Sequence, residues 1–159
     1  MNRKILLTVL VLAAAVLATP FVVMVHATPS TTVSGTVVLV GVTPVSQTPK
    51  GNSDNQVWIM DLTEDWEGGI QGISTTEAVW MLHKFPYDVS LNVHEKLTFQ
   101  TATVLGKSGG LDLELNIEAP KGYWTIIGGT GELANLRGHG TVTLATTPYS
   151  YTGEVHFDP

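Results

Sequence analysis

The sequence predicts an all-β domain of about eight antiparallel strands, an up-and-down β-barrel preceded by an N-terminal hydrophobic segment. Apolar and polar residues alternate with a period of two along almost all of residues 31–157, and no stretch keeps a 3.6-residue period beyond one turn. Gly, Pro, Asn and Asp interrupt the pattern at short intervals, so successive strands can pair as hairpins. An even meander with one apolar face loses its exposed edges by closing on itself. A two-sheet sandwich is the alternative way to bury the same face.

The first twenty-seven residues form a separate unit. Arg3 and Lys4 make a charged start, Ile5–Ala18 is an apolar run broken only by Thr8, and Thr19-Pro20 interrupts it. Val25-His26-Ala27 ends the segment in the small-residue pattern of a signal-peptide cleavage site. Residues 1–27 therefore read as a secretory signal and residues 28–159 as a single barrel domain. Ile5–Val25 is also long enough to serve as an uncleaved membrane anchor, which needs about 20 apolar residues. Both readings place the rest of the chain outside the cytoplasm, secreted or anchored on the outer face, with the N-terminal segment as the only membrane contact.

Beyond a short polar leader, Thr31–Val42 is rich in Thr and Val and reads as the first strand. Thr43–Asn55 carries Pro44, Pro49, Gly51, Asn52 and Asp54, and reads as the one long loop. Gln56–Thr63 is the second strand, running into the acidic group Glu64-Asp65-Trp66-Glu67. Gly72–His83 and Val89–Leu105 are the third and fourth, joined by a turn at Phe85–Asp88. That turn sets Trp80 opposite Val93, Leu82 opposite Leu91 and Glu95 beside Ala78 on the apolar face, with Glu77 facing Lys96 outside. Lys107–Gly110 has hairpin-turn chemistry, and Leu111–Ala119 is the fifth strand, with Leu111, Leu113, Leu115 and Ile117 on one face. Tyr123–Gly129, Gly138–Thr147 and Tyr149–Phe157 complete the set, the last two joined at Pro148.

Removing Arg3 and Lys4 from the eight basic residues leaves six against fourteen acidic ones, a formal charge of −8. The six are scattered singly, so the surface repels a phosphate backbone and nucleic acid is excluded as a partner. Without cysteine, neither disulfides nor thiol chemistry arise. About 130 residues can nevertheless bury a sufficient core unaided.

Trp124–Thr141, WTIIGGTGELANLRGHGT, carries five glycines over residues 128–140. Gly129-x-Gly131-x-x-Ala134 after an apolar strand matches a loose dinucleotide fingerprint. That fingerprint must open a helix of several turns on a parallel sheet, and Gly138 and Gly140 leave room here for about one turn. No cofactor is therefore expected. The segment reads as strand, tight turn, one helical turn and return strand, with Leu133 and Leu136 closing one end of the barrel. GGTGELANLRGHGT followed by YTGEVHF resembles the C-terminal half of an uncharacterised family of small barrel proteins, strongest at Gly128–Gly140 and Tyr151–Phe157. That family shares the fold of allene oxide cyclases and dirigent proteins, whose chains show a comparable glycine turn. The resemblance covers Thr31–Pro159 and implies an eight-stranded antiparallel barrel. It implies no activity, because turn glycines and core leucines carry it.

Few residues suit chemistry. His83, His94, His139 and His156 all fall on polar faces. Pairing through Pro148 sets His139 opposite Asp158 and His156 opposite Thr141, a diagonal pair better explained as solvated histidines than as a metal site. Asp61, Glu64, Asp65 and Glu67 match no Ca²⁺ loop and read as a solvated acidic run. No metal site is expected. There is no Gly-x-Ser-x-Gly elbow or recognisable triad. Glu95 stands out: a carboxylate inside an apolar barrel has a raised pKa and suits general acid–base work. At a barrel mouth it would instead reach water, or bond to Tyr151 or Thr76. Trp58, Trp80, Trp124 and Tyr151 are the candidate ligand-lining residues, with core filling as their structural alternative.

The expectation is thus an exported barrel that is non-catalytic and takes a small hydrophobic ligand, given a cavity of a few hundred Å³. An isomerase or cyclase using Glu95, and an extracellular structural or self-association module, are the alternatives.

Overall fold

Eight β-strands follow one another in the computed structural model, which describes residues 28–50, 54–84 and 90–159. The signal or anchor segment and the Phe85–Asp88 turn lie outside the described residues. The strands are β1 Thr31–Pro49, β2 Gln56–Gly68, β3 Ile70–His83, β4 Ser90–Val104, β5 Lys107–Glu118, β6 Lys121–Gly129, β7 Leu136–Thr143 and β8 Tyr149–Phe157. Each pairs antiparallel with its sequence neighbours, and β1 pairs with β8, so the sheet closes into a ring. A single 3₁₀ turn, Gly131–Leu133, is the only helical element among the described residues.

Alternation fills the ring. Leu111, Leu113, Leu115 and Ile117 of β5 point inward, as their period of two predicts, and join Val33, Val37, Leu97, Phe99, Ile126 and Val142 in one core. Each such aliphatic side chain contributes about 1.5–3 kcal/mol on burial. Phe99, Trp66, Tyr151 and Trp124 make a chain of ring contacts through this core, with centroids 5.0–6.4 Å apart.

The two ends of the ring differ. Leu133 and Leu136 are fully buried at one of them, held by the glycine segment. Gly131 has φ +62°, which favours glycine, and a side chain at Gly129 would strike the Leu133 carbonyl oxygen. Thr130 accepts the Gly110 N–H through its hydroxyl and Glu132 accepts the Ser108 N–H, tying the 3₁₀ turn to the start of β5. Thr28 meets Phe157 at this same end, through three hydrogen bonds of 2.7–3.2 Å.

Several boundaries depart from the sequence reading. The expected long loop at Thr43–Asn55 is largely strand: β1 runs to Pro49 and pairs with β2 down to Pro49–Gln56. Beyond Val37 β1 has no partner in β8, so this overhang is bonded on one side only. Pro44 and Pro49 are tolerated there because a one-sided strand does not need every N–H. β2 likewise continues through the acidic run to Gly68. The β4–β5 turn is Leu105-Gly106, both at positive φ as in a two-residue hairpin, rather than Lys107–Gly110. Gly109 lies within β5 because the Thr130 carbonyl packs where its side chain would be.

The β3–β4 register matches expectation, with Ala78 opposite Glu95, Trp80 opposite Val93 and Leu82 opposite Leu91. Lys96, however, extends to Asp112 of β5 at 4.0 Å rather than to Glu77. The β7–β8 register differs by four residues: His139 faces Glu154 and His156 faces Arg137. The connection occupies Leu144–Pro148 instead of a tight turn at Pro148, and the even shift keeps every side chain on its expected face.

A buried carboxylate pair as candidate functional site

At the end of the ring opposite Leu133 lies a chamber of about 50 Å³. Its walls are apolar, from Val37, Leu62, Trp66, Val93, Leu115 and Val142. Leu39, Trp80, Leu91, Leu144 and Tyr149 form a half-exposed rim. Two carboxylates face this space, Glu64 from β2 and Glu95 from β4.

Strand phase puts them there. Met60, Leu62, Glu64 and Trp66 occupy alternate inward positions of β2, and Val93, Glu95 and Leu97 do the same on β4. Glu64 is 4 % exposed and Glu95 3 % exposed. Glu64 Oε2 accepts two hydrogen bonds, from Trp66 Nε1–H at 3.0 Å and from the Ser74 hydroxyl at 3.3 Å. Glu95 Oε2 has no hydrogen-bond partner.

Burial pushes the Glu95 carboxyl up to about 8, with the neighbouring Glu64 charge adding to the rise. The Trp80 indole N–H offsets part of it, although it stands outside hydrogen-bonding geometry. Burial also raises Glu64, against the two hydrogen bonds that favour its charged form. Chemically the pair is a proton store: two carboxyls in one apolar-walled space resist double ionisation.

Trp80 lines the chamber and Trp58 sits opposite it across the β2–β3 pair, half-buried, its indole N–H donating to Gln56 at 2.8 Å. Trp124 and Tyr151 are placed elsewhere. Trp124 is fully buried against Tyr151. The Tyr151 hydroxyl accepts the Ile70 N–H at 2.7 Å and faces the Ile70 and Glu67 carbonyls at 3.0 and 3.2 Å. It therefore fastens β8 to the β2–β3 turn and does not reach Glu95. Thr76 Oγ1 does not bond to Glu95 either.

The sequence reading of a solvated acidic run is corrected at one position: strand phase turns Glu64 inside, whereas Asp61 and Glu67 are exposed. Trp66 and Glu64 are the lining residues that sequence reasoning missed. The histidines hold surface positions. His94 Nδ1 lies 2.8 Å from Asn116 Oδ1, and His156 Nε2 lies 3.3 Å from Asp158, which also pairs with Arg137 at 3.0 Å. Among the described residues no group of three or more His, Cys, Asp or Glu is placed to hold a metal ion. No helix among them is long and apolar enough to cross a membrane.

No protein-family model and no curated protein sequence matches the chain. Among solved structures, a protein of unknown function from the DUF3224 family of Shewanella oneidensis MR-1 is similar, with a TM-score of 0.64 and 18% identity over 82% of this chain and 99% of its own. The pterocarpan synthase dirigent protein GePTS1 gives a TM-score of 0.45 and 14% identity over 89% of this chain and 96% of its own. The first likeness establishes a shared fold. It accords with the resemblance to an uncharacterised family read from the glycine segment.

Proposed function

We propose that this chain is an exported, non-catalytic β-barrel protein of the allene oxide cyclase and dirigent kind, which binds a small, largely apolar molecule at its open end. The observation behind this reading is the chamber itself: apolar walls, a half-exposed rim of Leu39, Trp80, Leu91, Leu144 and Tyr149, and carboxyl groups from Glu64 and Glu95 alone. Ligand pockets combine apolar lining with a few such polar groups. At about 50 Å³ the chamber is far smaller than the few hundred Å³ that encloses a whole ligand. The ligand accordingly enters by its head, and its body rests on the rim.

Titration of the purified protein with hexan-1-ol, followed by tryptophan emission, tests this. A saturable change that Trp80→Phe abolishes supports the site, and an unresponsive spectrum overturns it. Export is tested by the first residue of the released chain. Thr28 marks cleavage after Ala27, while a chain retained in the membrane fraction marks an anchor.

The second reading is an isomerase or cyclase with Glu95 as acid/base. Its support is a carboxyl that titrates near neutrality, as a general acid or base requires. Unchanged turnover of a converted substrate after Glu95→Gln would remove it.

A further inference from the structure

We infer that the chamber selects an organic ammonium ion, a small cation whose N–H groups lie between Glu64 and Glu95 and whose carbon body rests on Trp80 and Tyr149. This rests on the binding role proposed above and gives that ligand its chemical class.

The central observation is an unpaired acceptor. Glu95 is 3 % exposed, lines the chamber, and leaves Oε2 without a hydrogen-bond partner. The Trp80 indole N–H bears on this carboxyl but stands outside hydrogen-bonding geometry and is itself unpaired, so Oε2 remains open to a donor supplied from outside the chain. Glu64 differs in kind, because Trp66 and Ser74 already donate to its Oε2 and hold it in place.

Charge narrows the donor. The titratable groups facing this space from the surrounding strands are Glu64, Glu95 and Tyr149, and no Lys, Arg or His lines it among the described residues. A space with two acids and no base repels anions and favours a cation. A divalent metal fits poorly, since Ca²⁺ takes six to eight oxygen ligands and the side chains lining the chamber offer two carboxylates and the Tyr149 hydroxyl. An ammonium head needs only acceptors, with aromatic faces beside it. Trp66, Trp80 and Tyr149 supply such faces on wall and rim. The volume agrees, because about 50 Å³ holds a head of a few heavy atoms.

Proton balance gives a signature. An alkylammonium keeps its protons well above neutrality, as lysine does with a pKa of about 10.4. Glu95, which retains its proton up to about pH 8, must release it to solvent as the cation enters. The neutral alcohol displaces none.

Calorimetry of the purified protein with hexylamine and hexan-1-ol tests the inference, in buffers of different ionisation enthalpy at about pH 6 and about pH 8. Hexylamine is expected to bind about tenfold more tightly than hexan-1-ol, to release protons, and to tighten as pH rises. Glu95→Gln, which keeps the side-chain volume, is expected to remove that preference and the proton release that goes with it. Should this variant fail to fold, the proton release and pH trend of the unaltered protein decide alone. Equal affinity for the two probes overturns the ammonium assignment and leaves the apolar site standing. Binding of neither overturns both, and hexylamine binding that ignores Glu95→Gln places the cation elsewhere and overturns the assignment.

Discussion

Glu64 and Glu95 face one chamber from strands that do not touch, with β3 between them, and the charge of Glu64 raises the pKa of Glu95. The carboxyls are linked through space, across the interior of the ring, rather than along the sheet.

Stability should therefore fall as pH rises. Glu95 has a folded pKa of about 8 against an ordinary 4.5, so between those values the native state holds a proton that the unfolded chain has released. The stabilising contribution is complete below 4.5 and is lost as pH passes through about 8. Within that window each pH unit costs up to about 1.4 kcal/mol, and the rise in Glu64 acts in the same direction. Thermal unfolding followed across this range should show a falling midpoint that Glu95→Gln flattens. A flat profile for the unaltered protein would count against the buried geometry of the pair.

Tyr151→Phe removes the hydroxyl that accepts the Ile70 N–H and leaves that buried donor unpaired. The expected loss is about 1–3 kcal/mol, read as a lower denaturant midpoint at constant slope. Hexan-1-ol binding should be unaffected, because Tyr151 does not line the chamber.

Gly140→Ala is expected to be costly for a reason unrelated to turn geometry. Its side chain would strike the Thr152 carbonyl oxygen and come within 2.5 Å of the Trp124 ring, both fixed by the surrounding sheet. Overpacking of this kind costs about 1–3 kcal/mol or more, and chemical denaturation measures it directly. Wild-type stability in this variant would show that Trp124 can move aside.

The all-β class, the strand count and most of β3 to β8 were legible because alternation survives wherever one face is buried, as in Leu111 to Ile117. Pro44 and Pro49 misled at β1, since proline marks a loop only where both strand edges are bonded, and one-sided pairing is a property of the closed ring. Glu95 was legible from its phase between Val93 and Leu97. Glu64 had the same signal, two residues after Leu62 and two before Trp66, but three neighbouring acids hid it. The volume of the chamber and the absence of a partner for Glu95 depend on packing between strands far apart in sequence, which periodicity does not encode.

The meeting of Thr28 with Phe157 bears on chain connectivity. Every strand pairing but one is local, joining neighbours through a short connection; only β1 with β8 spans the domain. A short linker from Phe157 to Thr28 would make that last pairing local as well, turning the domain into a continuous hoop. New ends could then be opened at Leu105-Gly106, where a side chain at Gly106 would meet nothing within 4 Å. Such a circular permutant is expected to fold with its chamber intact, because the hoop has no strand whose place depends on where synthesis starts.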